Sequence, residues 1–110
     1  MAKSQLSNSA LWIRHIDRGR LYLHRGEFEK AIAELNKAIA LDAENSAPGR
    51  SGMAYYLRGM CYARLNDLSA AARDFEKAWL IDQKLLYYES MEKIKREIIA
   101  RETLQAQTGG

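Results

Sequence analysis

Residues 18–42 read RGRLYLHRGEFEKAIAELNKAIALD, and residues 58–82 read RGMCYARLNDLSAAARDFEKAWLID. A shift of forty residues superposes the two segments. Identical pairs include Arg18 with Arg58, Gly19 with Gly59, Ala31 with Ala71, Lys37 with Lys77 and Asp42 with Asp82. Self-similarity at a fixed period is typical of repeat architectures. The chain therefore contains an internal duplication.

Each copy reads as a helical hairpin. Apolar residues recur with helical spacing over residues 11–25 and 53–65, and a turn signal follows each run, at Gly26 and at Asn66. The helix after each turn has three apolar residues spaced four and three apart, which places them on one face. These trios are Ala31, Leu35 and Ala38 in the first copy and Ala71, Phe75 and Ala78 in the second.

Gly19 and Gly59 lie well inside the first helix of each copy. Glycine costs about 1 kcal/mol relative to alanine in such a position, so it needs a packing reason. We expect the second helix of each hairpin to approach closely at the glycine. The small surfaces of Ala31 and Ala38, and of their equivalents in the second copy, would permit that approach.

These residues resemble a tetratricopeptide repeat. The first set is Gly19, Tyr22, Gly26, Phe28, Ala31, Leu35, Ala38, Leu41 and Asp42, and the second is Tyr55, Gly59, Tyr62, Leu68, Ala71, Phe75, Ala78, Ile81 and Asp82. The resemblance implies an all-α, right-handed α-solenoid of two helix-turn-helix hairpins in a single domain. Repeat one spans residues 12–45 and repeat two residues 52–85, and they are separated by a loop at 46–51 that contains Pro48.

The sequence departs from the family pattern at the end of each repeat, where Ala43 and Gln83 stand in place of proline. Nothing therefore forces the fourth helix to stop near Asp82, although we favour a break there. A fifth, capping helix is expected over residues 86–104.

The composition of the chain ends, residues 1–9 and 105–110, indicates frayed termini.

The fifth helix carries a single apolar stripe: Tyr87, Met91, Ile94 and Ile98, at four, three, four spacing. A terminal repeat exposes an unpaired face, so we interpret the stripe as a cap on repeat two. The same spacing is a short coiled-coil pattern, which leaves self-association into a homodimer as the alternative. Two repeats are fewer than the roughly three that a solenoid needs, so a cap or a second subunit must supply the missing neighbour.

The reactive residue types do not assemble a catalytic or metal site in the sequence. His15 and His24 are nine residues apart on one helix and so point to opposite sides. Cys61 is the single cysteine, and we interpret it as a buried structural thiol of a cytoplasmic protein. No phosphate-binding glycine loop and no apolar run of membrane-spanning length is present. We expect no enzyme activity, no metal, no cofactor and no membrane partner.

Charge alternates along the chain. Residues 1–26 and 46–66 carry net charges of +4 and +3, whereas residues 27–45 and 67–83 carry −3 and −2. First helices are therefore basic and second helices acidic. First helices line the concave groove of tetratricopeptide folds, so the resemblance implies a basic groove and an acidic outer wall.

The groove positions implied by the family pattern are mostly apolar, with a few cations. They are Ile13, Ile16, Arg20, Leu23 and His24 in repeat one and Met53, Tyr56, Met60, Ala63 and Arg64 in repeat two. Such a surface suits a partner peptide that offers apolar anchors together with Asp or Glu. The leading hypothesis is a protein-interaction scaffold or adaptor. The carboxylate-clamping subclass of the family is disfavoured, because Ile16, Arg20 and Leu57 stand where it needs Lys or Asn.

Two other interpretations are kept. In one, the cations only solvate the surface and part of the apolar set packs against the fifth helix. In the other, the basic groove binds nucleic acid, which a pI of about 9.1 permits. A net charge of only +3 and the acidic second helices disfavour nucleic acid.

Overall fold

The computed structural model describes residues 7–45 and 50–108, which form five helices and no strand. The helices are α1 (Asn8–His24), α2 (Phe28–Asn45), α3 (Arg50–Arg64), α4 (Leu68–Ile81) and α5 (Leu85–Thr108). Each helix packs chiefly on its neighbours in the chain, and α1 touches α3 only lightly. The described residues are thus an all-α helical repeat of two hairpins, α1–α2 and α3–α4, followed by α5. Among these helices, none combines the length and the apolar character that a bilayer span requires.

The two hairpin turns have the same backbone geometry. Gly26 has a φ of 78° and Asn66 a φ of 67°, a left-handed conformation that glycine and asparagine tolerate best. The residue after each of them donates its N–H to the carbonyl five residues back, that of Tyr22 or Tyr62, at 2.8 Å. The turns predicted from Gly26 and Asn66 are confirmed.

The two apolar trios form the centre of each hairpin, as predicted. Ala31, Leu35, Ala38, Ala71 and Ala78 have no exposed surface, and Phe75 is 5% exposed. A Cβ atom on Gly19 would lie 2.8 Å from Cδ2 of Leu35, and one on Gly59 would lie 2.8 Å from the ring of Phe75. The close approach is therefore confirmed, but the large member of each trio fills the space, whereas we had expected the alanines to meet the glycine.

The chain breaks between α4 and α5, as the sequence favoured. Asp82 adopts an extended backbone with φ −140° and ψ 91°, and its N–H bonds to the carbonyl of Ala78. α5 then begins at Leu85, one residue before the predicted start.

Both outer helices extend into the segments that were expected to fray. The Ser7 hydroxyl accepts a backbone N–H bond from the first turn of α1, which lets that helix begin at Asn8. α5 continues to Thr108, since residues 105–108 contain no helix-breaking residue. Residues 1–6 and 109–110 lie outside the described residues.

The expected inter-repeat loop, residues 46–51, also needs correction. Arg50 and Ser51 already belong to α3, and residues 46–49 lie outside the described residues.

α5 covers repeat two. Tyr87 is 2% exposed, and Met91 and Ile94 are buried in a cluster with Ala71 and Phe75 of α4. Most of the apolar stripe is thus buried by contacts within the chain, as the cap interpretation requires. The alternative, self-association through Tyr87, Met91, Ile94 and the half-buried Ile98, would require the cap to open first.

Candidate functional site

α3 lies between α1 and α5 and presents one row of side chains. Met53, Tyr56, Met60 and Arg64 follow one another at intervals of three or four residues, so they share a face of the helix. The first three side chains are half-buried and Arg64 is exposed. We call the surface to which α1, α3 and α5 contribute the α1–α3–α5 face.

Contacts across the first turns of α3 join the three helices. Nη2 of Arg20 in α1 donates to Sδ of Met53 at 3.2 Å. The ring of Tyr56 lies 4.9 Å, centroid to centroid, from that of Tyr87 in α5. Burial raises the pKa of Tyr87, the charge of Asp82 raises it further, and the charge of Arg20 opposes them. Arg20 therefore acts electrostatically as far as α5.

A cleft of about 270 Å³ opens between α3 and α5. Its lining residues are Tyr56, Met60, Ala63, Arg64, Phe75, Ser90, Lys93, Ile94 and Glu97. The floor is apolar and aromatic, and the charged residues come from both helices. We call this concavity the α3–α5 cleft.

The charges around the α3–α5 cleft are unbalanced. Nη2 of Arg101 lies 3.0 Å from Oε1 of Glu97, so the one acid of the cleft is already neutralised. The guanidinium of Arg64 lies 5.9 Å from the ring centre of Phe28. Within residues 7–45 and 50–108, neither Arg64 nor Lys93 forms an ion pair with a carboxylate. The cleft therefore offers two cations to an incoming anion.

The structure distributes the predicted groove residues over three environments. Ile13, Arg20, His24 and Arg64 are exposed; Leu23, Met53, Tyr56, Met60 and Ala63 are half-buried; and Ile16 is 3% exposed. The predicted residues of repeat two lie together along α3, and Arg20 joins them through Met53.

Ile16 is a correction to the predicted site. It belongs to the buried core cluster with Leu35 and Leu57, because its position on α1 faces the hairpin interior. Leu23 also packs against that cluster, although part of its surface is exposed. Neither contributes to the α3–α5 cleft.

Sequence reasoning missed the contribution of α5. Ser90, Lys93 and Glu97 line the cleft, yet the fifth helix was interpreted as a cap or a dimer seam and not as a wall of the site. These residues flank the apolar stripe at helical spacing. A helix that packs through its stripe must turn one flank toward α3, but the spacing alone does not show which flank.

Cys61 and the two histidines occupy different surroundings. Cys61 is fully buried, as predicted, and burial together with the charge of Asp74 raises its pKa to about 11. Its thiol is therefore protonated at neutral pH. Nδ1 of His15 lies 2.8 Å from Oε1 of Glu34, whereas His24 is exposed. Across the described residues, no cluster of three or more His, Cys, Asp or Glu is arranged to hold a metal ion.

Comparison with protein families agrees with this architecture. The family model described as tetratricopeptide repeat matches residues 9–79, from the start of α1 to the last turn of α4. The chain belongs to the tetratricopeptide repeat family. Tetratricopeptide repeats generally mediate protein–protein interaction or scaffolding, and the family is typically a non-catalytic interaction module. Searches of curated proteins and of solved structures gave no significant match.

The tetratricopeptide match ends before α5 begins. One wall of the α3–α5 cleft therefore comes from the matched repeats, and the other comes from a helix beyond them.

Proposed function

We propose that this chain is a scaffold or adaptor that binds a partner peptide along the α1–α3–α5 face. The peptide offers apolar anchors and acidic residues. The observation that carries the proposal is the row on α3, in which Met53, Tyr56 and Met60 stand half-buried with Arg20 at one end and Arg64 at the other.

The row has the residue types that concentrate binding energy at protein interfaces. Aromatic residues, Met and Arg are enriched there, because they combine large contact area with a polar or adaptable end. Apolar area contributes about 25 cal/mol per Å² when it leaves water. The half-buried side chains on α3 retain area that a partner can cover.

Charge supports an acidic partner. The two first helices, α1 and α3, belong to segments with net charges of +4 and +3, whereas the segments of α2 and α4 are net acidic. Cations on the binding face steer an acidic peptide and fix its register, while the acidic second helices repel it from the outer wall. A cytoplasmic setting, which the single buried Cys61 favours, is part of the same proposal.

The test is selection of binders from a random peptide library against the whole chain, followed by affinity measurement on two charge-reversal variants. Arg20→Glu combined with Arg64→Glu should weaken the selected peptides roughly tenfold or more and reduce the salt dependence of binding. Arg73→Glu combined with Arg96→Glu is the matched control. It changes net charge equally at two exposed positions, on α4 and α5, that do not line the α3–α5 cleft, and it should leave affinity nearly unchanged.

Equal loss of binding in both variants would reduce the effect to net charge and contradict a site on the α1–α3–α5 face. Enrichment of peptides without acidic residues would contradict the acidic partner. A generic oligonucleotide provides the comparison with nucleic acid: tight binding with a steep salt dependence would favour that function instead.

A further inference from the structure

We infer that the α3–α5 cleft receives one large apolar side chain of the partner, and that Arg64 and Lys93 bind carboxylates on either side of it. This inference rests on the proposed function and identifies where the anchor sits. It also defines a sequence pattern for the partner: an apolar residue flanked by two acids.

The volume of the cleft is sufficient for one large side chain and small for a drug-sized ligand. Drug-sized ligands and cofactors occupy pockets of about 300–1,000 Å³, and an apolar cavity of about 150 Å³ holds benzene. The α3–α5 cleft, at about 270 Å³, falls between these limits. It therefore fits a side chain of the size of leucine or phenylalanine.

The floor of the cleft matches such an anchor chemically. Phe75 and Ile94 are buried beneath it, and the rings of Tyr56 and Phe75 are 5.7 Å apart, centroid to centroid. Met60 adds an unbranched, polarisable side chain that adapts to anchors of different shape. An apolar group entering this space exchanges water contact for aromatic and aliphatic contact on both walls.

The cations supply the second half of the recognition. Arg64 stands on the α3 wall and Lys93 on the α5 wall, and the acid among the lining residues, Glu97, is already paired with Arg101. A carboxylate on each side of the anchor would meet a cation that is not ion-paired with another carboxylate of the described residues. Charge complementarity therefore favours an acidic segment over a neutral one.

The geometry of an extended peptide predicts the spacing of the acids. In an extended peptide, side chains two residues apart point to the same side and lie about 7 Å apart along the chain. Acids two residues before and two residues after the anchor therefore reach the two walls together with it. Acids directly adjacent to the anchor point away from the cleft.

The experiment uses an end-blocked peptide of sequence Asp-Ser-Leu-Ser-Asp and its isomer Ser-Asp-Leu-Asp-Ser, which has the same composition and charge. Titration of the whole, ¹⁵N-labelled chain, followed by amide chemical shifts, reports both affinity and location. We expect the first peptide to bind more tightly, with the largest shifts at Met60, Ala63 and Lys93. Replacing its leucine with alanine should weaken binding roughly tenfold, because the anchor loses its buried area.

Two variants test the walls and the volume separately. Arg64→Glu with Lys93→Glu should weaken the peptide at least about tenfold, with Arg73→Glu and Arg96→Glu as the charge-matched control. Ser90→Phe fills the cleft without changing charge and should also abolish the anchor contribution, so that peptides with leucine and alanine bind alike. Circular dichroism establishes that each variant keeps its helical content.

The outcomes separate this inference from the proposed function. A third variant, Arg20→Glu alone, separates the two: loss of binding in it, with full binding in Arg64→Glu/Lys93→Glu and in Ser90→Phe, would leave the α1–α3–α5 face intact and overturn the cleft. Equal affinity of the two isomers would overturn the paired arrangement of acids. Concentration-dependent self-association that shifts the same amides without peptide would show that a second copy fills the cleft, and it would also overturn the inference.

Discussion

The two hairpins carry an acid at the same position of their second helix, Glu34 in α2 and Asp74 in α4. The side chain that pairs with this carboxylate differs between the hairpins. In repeat two, Nε and Nη2 of Arg58 each donate to one oxygen of Asp74 at 2.8 Å. Among the described residues of repeat one, the equivalent arginine, Arg18, forms no ion pair with Glu34, and Nδ1 of His15 lies 2.8 Å from Oε1 of Glu34 instead.

The contact between the first and second helix is thus more constrained in repeat two than in repeat one; we call this contact the junction of the hairpin. Nη1 of Arg58 also donates to Oδ1 of Asn36 at 2.8 Å, which links the second hairpin to α2 of the first. The rings of Tyr55 and Tyr62 lie 5.2 and 5.8 Å from the same guanidinium. A bidentate, always-charged pair fixes geometry, whereas a histidine pair depends on protonation. The repeat that forms a wall of the α3–α5 cleft is therefore also the one with the fixed junction.

The largest effect is expected from removal of the acid in repeat two. Asp74 is 5% exposed, so Asp74→Ala leaves the Arg58 guanidinium half-buried without its carboxylate. Breaking a buried pair typically costs 3–5 kcal/mol, and partial exposure of Arg58 reduces this to about 2–3 kcal/mol. Glu34→Ala in repeat one should cost about 1 kcal/mol. Urea unfolding monitored by circular dichroism measures both changes.

Equal losses in these two variants would show that the junctions are energetically alike despite their geometry. The double variant Arg58→Met, Asp74→Leu is the control. It removes both charges, so it shows how much of the loss in Asp74→Ala comes from leaving the Arg58 guanidinium unpaired. Much of the stability lost in Asp74→Ala should return in the double variant, because no buried charge remains.

An intermediate effect is expected at the helix crossings. Gly59→Ala places a methyl group 2.8 Å from ring atoms of Phe75 and 3.2 Å from Cβ of Asp74, neither of which yields easily. The free-energy cost of overpacking should exceed the gain in helix propensity, so the free energy of unfolding should fall by about 1–2 kcal/mol. Gly19→Ala places a methyl group 2.8 Å from Cδ2 and 2.9 Å from Cγ of the fully buried Leu35, so it should also lose stability, but less than Gly59→Ala, because an aliphatic side chain adjusts more easily than an aromatic ring. Thermal unfolding of the pair measures the difference, and a larger loss at Gly19 would contradict this account.

The smallest effect concerns pH. Burial alone would raise the pKa of Glu34, but the hydrogen bond from His15 and the charges of Lys37, His15 and Arg18 outweigh it and lower the pKa from its ordinary value of 4.5. The unfolded chain therefore binds more protons, and the stabilisation by Glu34, complete above pH 4.5, is lost as pH falls through the folded-state pKa. Glu34→Gln should reduce the decrease in the free energy of unfolding as pH falls below 4.5, measured by urea titrations at several pH values. Glu29→Gln, an exposed change on the same helix, is the control and should leave it unchanged.

The hairpins were predictable because their constraints are local and occur twice. Spacing within a helix placed Ala31, Leu35 and Ala38 on one face, and a residue tolerant of positive φ marked each turn. The identity of the group beside Gly19 was not predictable in this way. It depends on which member of the trio points across the helix crossing, and that is set by the angle between the two helices.

The site was less predictable, because it depends on tertiary placement. Spacing correctly grouped Met53, Tyr56 and Met60 on α3, but it could not distinguish a groove-facing position on α1 from the buried one that Ile16 occupies. The contribution of Lys93 to the α3–α5 cleft could not be predicted, since nothing local in α5 shows which flank of its apolar stripe faces α3.

α5 both shields the core of repeat two and forms a wall of the α3–α5 cleft. Detachment of this helix would expose Met91 and Ile94 and dismantle the cleft in one event. Occupancy of the cleft should consequently slow hydrogen exchange at amides along α5 that the peptide never touches, in proportion to its saturation. The exchange rate of these α5 amides would thus measure the fraction of the chain that has bound peptide.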